Sequence, residues 1–147
     1  MRRLIPKPIQ LGETATAWFK FTILAVATLR AMDYITGVNG PVTSLGVVER
    51  AAPLWVWGWV LGLSAVTALF GTFTGLRSLL IAGHIVAGLT MMALGVGQLL
   101  TVLGPDGISG YRTGAGIVGG GILHWIIAFS AWSQVKVERM VVADAAS

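Results

Sequence analysis

The chain has 147 residues, 55% of them hydrophobic and only 11% charged, with 20 glycines and no cysteine. Soluble domains carry roughly 25% charged residues, so this balance excludes a disordered chain, and the missing cysteines exclude a disulfide framework, a thiolate nucleophile and a cysteine-built zinc site. Ten basic against six acidic residues leave a net charge of +4, too sparse for a nucleic-acid footprint without a clustered face.

Taken in chain order, the first candidate element runs over about 14–34. Its apolar stretch Phe21–Leu29 is bracketed by Lys20 and Arg30, whose long stems can carry the charge back towards the interfaces. A span is favoured over an amphipathic helix lying on the surface. Pro6, Pro8, Glu13 and Lys20 interrupt the apolar run that a cleaved signal needs, so the N-terminus reads as retained. The longest loop follows, from about Ile35 to Ala52, and its Val42, Leu45, Val47 and Val48 are expected to rest on the outer membrane surface.

Three stretches then lack formal charge: 51–76, 78–105 and 113–135, of 26, 28 and 23 residues. A bilayer core of about 30 Å needs roughly 20 apolar residues in a helix. None of the three shows the one-sided polar face of a soluble helix. Spans are expected over 52–73, 78–103 and 112–134, opened by Pro53 and separated by turns at Gly71–Gly75 and Gly104-Pro105-Asp106-Gly107. The expectation is one all-α, polytopic membrane domain over 1–147: four transmembrane helices in two antiparallel hairpins, with 135–147 a short cytoplasmic tail.

With the N-terminus inside, the inner basic residues are Arg2, Arg3, Lys7, Lys20, Arg77, Lys136 and Arg139, against Arg30, Arg50 and Arg112 outside. This bias predicts both termini inside, in the cytoplasmic (inner) membrane. Trp55, Trp57, Trp59, Tyr34 and Tyr111 fall at the outer level, and Trp18 and Trp132 at the inner one, as an interfacial belt requires. Close helix packing is expected at Gly58-x-x-x-Gly62 and Gly116-x-x-x-Gly120, either inside one bundle or between copies in a homo-oligomer. The bilayer and further copies are the expected partners; neither nucleic acid nor a small-molecule substrate is indicated.

Chemistry is sparse. No Asp or Glu lies within the three strong spans, which removes paired-carboxylate catalysis. His124 and Ser130 lie on different sides of a helix without a carboxylate to complete a triad. No catalytic or metal residue is assigned, and no enzyme is expected. His84 and His124 form the one constellation of interest. They lie about 9 and about 15 Å from the inner ends of adjacent antiparallel spans, and each has a glycine one turn away, Gly88 and Gly120. Two facing imidazoles can ligate a haem iron or share a transition metal; equally, each neutral ring can bond a carbonyl or hydroxyl of a neighbouring helix. The structural role is favoured, and no cofactor is expected.

The basic start Met1-Arg2-Arg3, the short hairpins at Gly71–Gly75 and Gly104–Gly107, the Gly/Ala-rich spans and the short polar tail Lys136–Ser147 together resemble the holin-like membrane proteins encoded beside endolysins in actinobacterial phages. The resemblance is one of architecture over the whole chain. It implies a protein that accumulates in the cytoplasmic membrane, self-associates and opens lesions for a lytic enzyme. It assigns no functional residue.

Overall fold

The computed structural model describes residues 12–37, 46–103 and 111–145. These residues form an all-α fold of five helices: α1 (Glu13–Thr36), α2 (Gly46–Ala51), α3 (Leu54–Thr74), α4 (Arg77–Val102) and α5 (Tyr111–Ala145). Three of them, α3, α4 and the stretch Thr113–Ala145 of α5, are long and apolar enough to cross a membrane. At 24 residues α1 is about 36 Å long, also a spanning length, but Lys20 and Arg30 lie in its body.

Local chemistry explains the helix ends. Gly37 closes α1 in the left-handed conformation (φ +61°), its N–H donating to the Asp33 carbonyl at 3.0 Å, a geometry glycine adopts without penalty. Gly75 closes α3 in the same left-handed conformation, at φ +71°. The expected turn at Gly71–Gly75 is therefore tighter than its glycines suggest, because Gly71 is still helical. A Cβ there would fall 2.3 Å from the Leu80 backbone nitrogen, so this glycine allows α3 and α4 to meet above their turn. Pro53 precedes α3 at its N-cap, and Gly104–Gly107 lies outside the described residues. Along the helices, Thr22, Thr28, Thr67, Thr90 and Ser64 donate their hydroxyls to carbonyls three or four residues back, which removes unsatisfied donors from the apolar surface.

The loop between α1 and α3 departs from expectation. It contains α2, and Val48 is buried instead of lying on a membrane surface. A Cβ on Gly97 would stand 2.2 Å from Val48 Cγ2; the bare glycine gives α2 its seat on α4. Val42 and Leu45 lie outside the described residues. Tyr34 is likewise part of the core with Leu24, Ala27, Ala31 and Leu61, not of an exposed belt. The helix α5 runs on through the stretch expected to be a tail, reaching Ala145.

Packing follows constant registers. Along α1 and α3, Phe21 meets Phe73 with ring centroids 5.8 Å apart. Farther along, Gly62 meets Ala31, and Gly58 meets Ala31 and Ile35, so the two helices run antiparallel along most of their length. The hairpin of α3 and α4 is close-packed where a Cβ on Gly83 would lie 2.5 Å from the Ala68 nitrogen. Along α4 and α5, Gly88 faces Gly121 and Gly95 faces Gly114, seven residues apart on both helices. The long helices thus stand in the order α1, α3, α4, α5, each packed on the next, while α1 and α5 touch only slightly.

Candidate functional site

Glycines place the site. At Gly88 and Gly121 a Cβ would fall 3.0 and 2.9 Å from the opposite carbonyl oxygen, which means the backbones of α4 and α5 approach as closely as glycine allows. One turn beyond Gly88 on α4, and three residues beyond Gly121 on α5, stand His84 and His124. The structure brings the two sequence candidates together. Their Nδ1 atoms are 2.8 Å apart, their ring centroids 5.0 Å apart at 44°, and both residues are 0% exposed.

This contact fixes the protonation pattern of the neutral pair. A hydrogen bond between two imidazole nitrogens needs one N–H and one lone pair. The ring that donates from Nδ1 has a bare Nε2; the ring that accepts at Nδ1 carries its proton on Nε2. Both Nε2 atoms are buried without a hydrogen-bond partner, so the pair presents one unused donor and one unused acceptor. Moving both protons exchanges the two roles, and the pair can offer either function on either side.

The same geometry bears on cofactors. Axial ligation of one iron by both rings sets their nitrogens about 4 Å apart across a porphyrin, at roughly 2 Å per bond. Rings in direct contact through Nδ1 have no such gap, and as folded they do not fit a haem between them. Among the described residues, no group of three or more His, Cys, Asp or Glu stands ready for a metal ion.

The glycines expected to leave room beside each ring are used otherwise. Trp125 fills the space at Gly88, where a Cβ would lie 2.3 Å from its Cδ1, and its indole N–H points to the Ile85 carbonyl at 3.4 Å. Met91 Cε lies 2.5 Å from a Cβ position on Gly120. Gly116 and Gly119 meet nothing within 4 Å and help to line a groove of about 550 Å³ between α1 and α5, with Met91 and His124 also in its wall. Gly58 and Gly62 face α1 inside the same chain.

Of the tryptophans, Trp55, Trp59 and Trp132 are about half exposed, and Lys136 stands 5.8 Å from the Trp132 ring. Trp57 is tucked inward and donates to the Ala52 carbonyl at 3.1 Å. Sequence reading passed over Trp125 and Met91, whose apolar side chains carry no signal beyond their place near His124 and Gly120. It also passed over the α1 wall of the groove, Thr22, Ile23 and Val26, because partners from a distant helix leave no local pattern. The chain matches no protein-family model, no curated protein and no solved structure.

Proposed function

We propose that this chain is a four-span protein of the cytoplasmic membrane, both termini inside, which self-associates and permeabilises that membrane in the manner of a holin. The observation that carries the reading is the open row of helices. Its edge helices α1 and α5 touch only slightly and keep exposed apolar flanks, with Leu29 and Met32 on α1 and Ile126 and Phe129 on α5. Association in lipid rests on packing area and interhelical hydrogen bonds rather than on hydrophobicity, and two half-free edge helices offer that area.

The interior supports the same reading. Its buried polar side chains among the described residues are Ser64, His84, Thr90, Gln98 and His124, and Ser64 and Thr90 bond their own helix carbonyls. A water route through one copy would find little polar lining, which moves permeation to the contacts between copies. The antiparallel register of α1 along α3 supports α1 as the fourth span. No enzymatic step belongs to this reading.

Induced expression in a bacterial host tests it. Membrane potential, followed with a voltage-sensitive dye, is expected to collapse after the protein accumulates. Because the chain has no cysteine, single cysteines replacing Leu29 or Phe129 should give cross-linked dimers without background. Stable potential at high membrane abundance, or a monomer under both cross-links, would overturn the reading.

A further inference from the structure

A cleft runs along the seam of α4 and α5 and changes character along its length. Its first part, about 810 Å³, lies where α4 begins and is walled by Arg77, Glu138 and Arg139 beside Ile81 and Trp132. Its second part, about 350 Å³, is walled by Ile81, Ile85 and Leu89 on α4 and by Trp125, Phe129 and Trp132 on α5. Ile81 and Trp132 belong to both parts, so one continuous surface passes from charged to apolar. Helical spacing creates it. Positions 77, 81, 85 and 89 on α4, and 125, 129, 132 and 139 on α5, recur at three, four or seven residues and share a face. Ile85, Leu89, Phe129 and Trp132 are exposed, which leaves the cleft open to its surroundings.

We infer that this cleft binds an anionic phospholipid, its phosphate held by Arg139 and Lys136 and one acyl chain lying along Ile85, Leu89 and Phe129. Charge selects the headgroup. Arg77 already meets both carboxylate oxygens of Glu138. Arg139 lines the same end, and the Lys136 ammonium stands 5.8 Å from the Trp132 ring. Among these residues three cations face one acid, and arginine forks and ammonium groups both suit phosphate oxygens.

Length selects the chain. Ile81 to Leu89 is eight residues, about 12 Å of helix, which covers most of the ~15 Å of hydrocarbon in one leaflet. A basic pocket between membrane helices, at the level of the headgroups, is where anionic lipids are held. A soluble anion would leave the apolar part unused. The charge-free spans of a second copy would cover that part but bring no Asp or Glu to the cations. The inference uses the crossing of α4 and α5, both long and apolar enough for it, and is independent of permeabilisation. On the proposed topology the charged end meets the cytoplasmic leaflet.

The test titrates the full chain in neutral detergent micelles with phosphatidylglycerol or phosphatidylcholine of matched chains. Native mass spectrometry counts the lipid retained. One phosphatidylglycerol per chain is expected, preferred over phosphatidylcholine by about tenfold or more. Glycerol 3-phosphate, which carries the charge without the chains, should not displace it. Lys136→Gln combined with Arg139→Gln should lower phosphatidylglycerol binding by about tenfold or more. Both side chains are exposed, so helix content by circular dichroism should match the unaltered protein. Arg50→Gln removes an exposed cation on α2, away from the cleft, and should leave binding unchanged. No retained phosphatidylglycerol, equal retention of the two lipids or displacement by glycerol 3-phosphate would each overturn the assignment. So would full affinity in the Lys136 and Arg139 variant, or an equal loss in Arg50→Gln.

Discussion

Gly88 on α4 and Gly121 on α5 face one another so closely that a Cβ on either would lie about 3 Å from the other's carbonyl oxygen, at 3.0 and 2.9 Å. Gly95 and Gly114 repeat the relationship two turns away, at 2.9 and 3.2 Å. Helices in lipid gain little from apolar contact itself, so this backbone approach is what holds α4 to α5. It also lets two imidazoles meet, because side chains as short as histidine bridge only helices that pack closely.

Substitution at Gly95 therefore acts through backbone, not through a yielding side chain. A Cβ there meets Val118 Cγ2 at 2.7 Å, the Val118 nitrogen at 2.8 Å and the Gly114 carbonyl at 2.9 Å. Gly95→Ala should destabilise the protein by about 1–3 kcal/mol, the usual cost of overpacking. Gly119→Ala, with open space around its Cβ, should be neutral or gain up to about 1 kcal/mol from helix propensity. Unfolding in mixed micelles by increasing denaturing detergent compares the two directly; equal stability would contradict the backbone approach.

The histidine pair makes its own stability prediction. In His84→Phe, His124 loses its Nδ1 partner inside the core, and a stranded buried polar group costs about 1–3 kcal/mol. His124→Phe strands His84 in the same way. The double variant removes both polar partners at once, so its loss should fall short of the sum of the singles by about 1 kcal/mol. Strict additivity in the same detergent titration would mean that the 2.8 Å contact contributes no coupling.

Much of the fold was legible because lipid imposes long charge-free runs. The stretches 51–76, 78–105 and 113–135 mark α3, α4 and the membrane portion of α5, and breakers such as Pro53 and Gly75 mark their ends. The site was legible in part. Matching depths on antiparallel helices bring His84 and His124 together, yet nothing local says that Trp125 occupies the space at Gly88. The burial of Val48 was illegible for a related reason. It depends on Gly97, 49 residues later in the chain, and a glycine in an apolar run carries no sign of which neighbour it admits. The length of α5 beyond 134 also escaped, since a polar segment reads as a tail whether or not its backbone stays helical.

That extension is tied down by charge. Arg77, at the start of α4, pairs with Glu138 on α5 through both carboxylate oxygens, one contact being 2.8 Å between Nη2 and Oε1. Both side chains are exposed, and exposed pairs contribute little to global stability. Glu138→Gln should therefore leave the unfolding midpoint unchanged. Its effect belongs to the helix end, where amide hydrogen exchange over 138–145 should quicken severalfold, and high salt should reproduce that change in the unaltered protein. Unchanged exchange would show that the helix holds itself straight without the pair.

The position of the N-terminus decides whether α1 is a span. Its contacts with α3 extend from Phe21–Phe73 at one end to Ile35–Gly58 at the other, and the proposed four-span arrangement has α1 cross beside α3. Lys20 and Arg30 then sit within a few turns of opposite ends, each able to reach an interface along its own stem. With α3, α4 and α5 crossing and the C-terminus inside, residue 40 lies outside whether or not α1 crosses; only the N-terminus distinguishes the two arrangements. A single cysteine replacing Ile5 should resist a membrane-impermeant maleimide in intact cells and react once the membrane is opened. One replacing Ala146 should behave the same way. Labelling of the Ile5→Cys variant in intact cells, with the Ala146→Cys variant protected, would leave three spans and place α1 on the outer surface, against the packing that aligns it with α3.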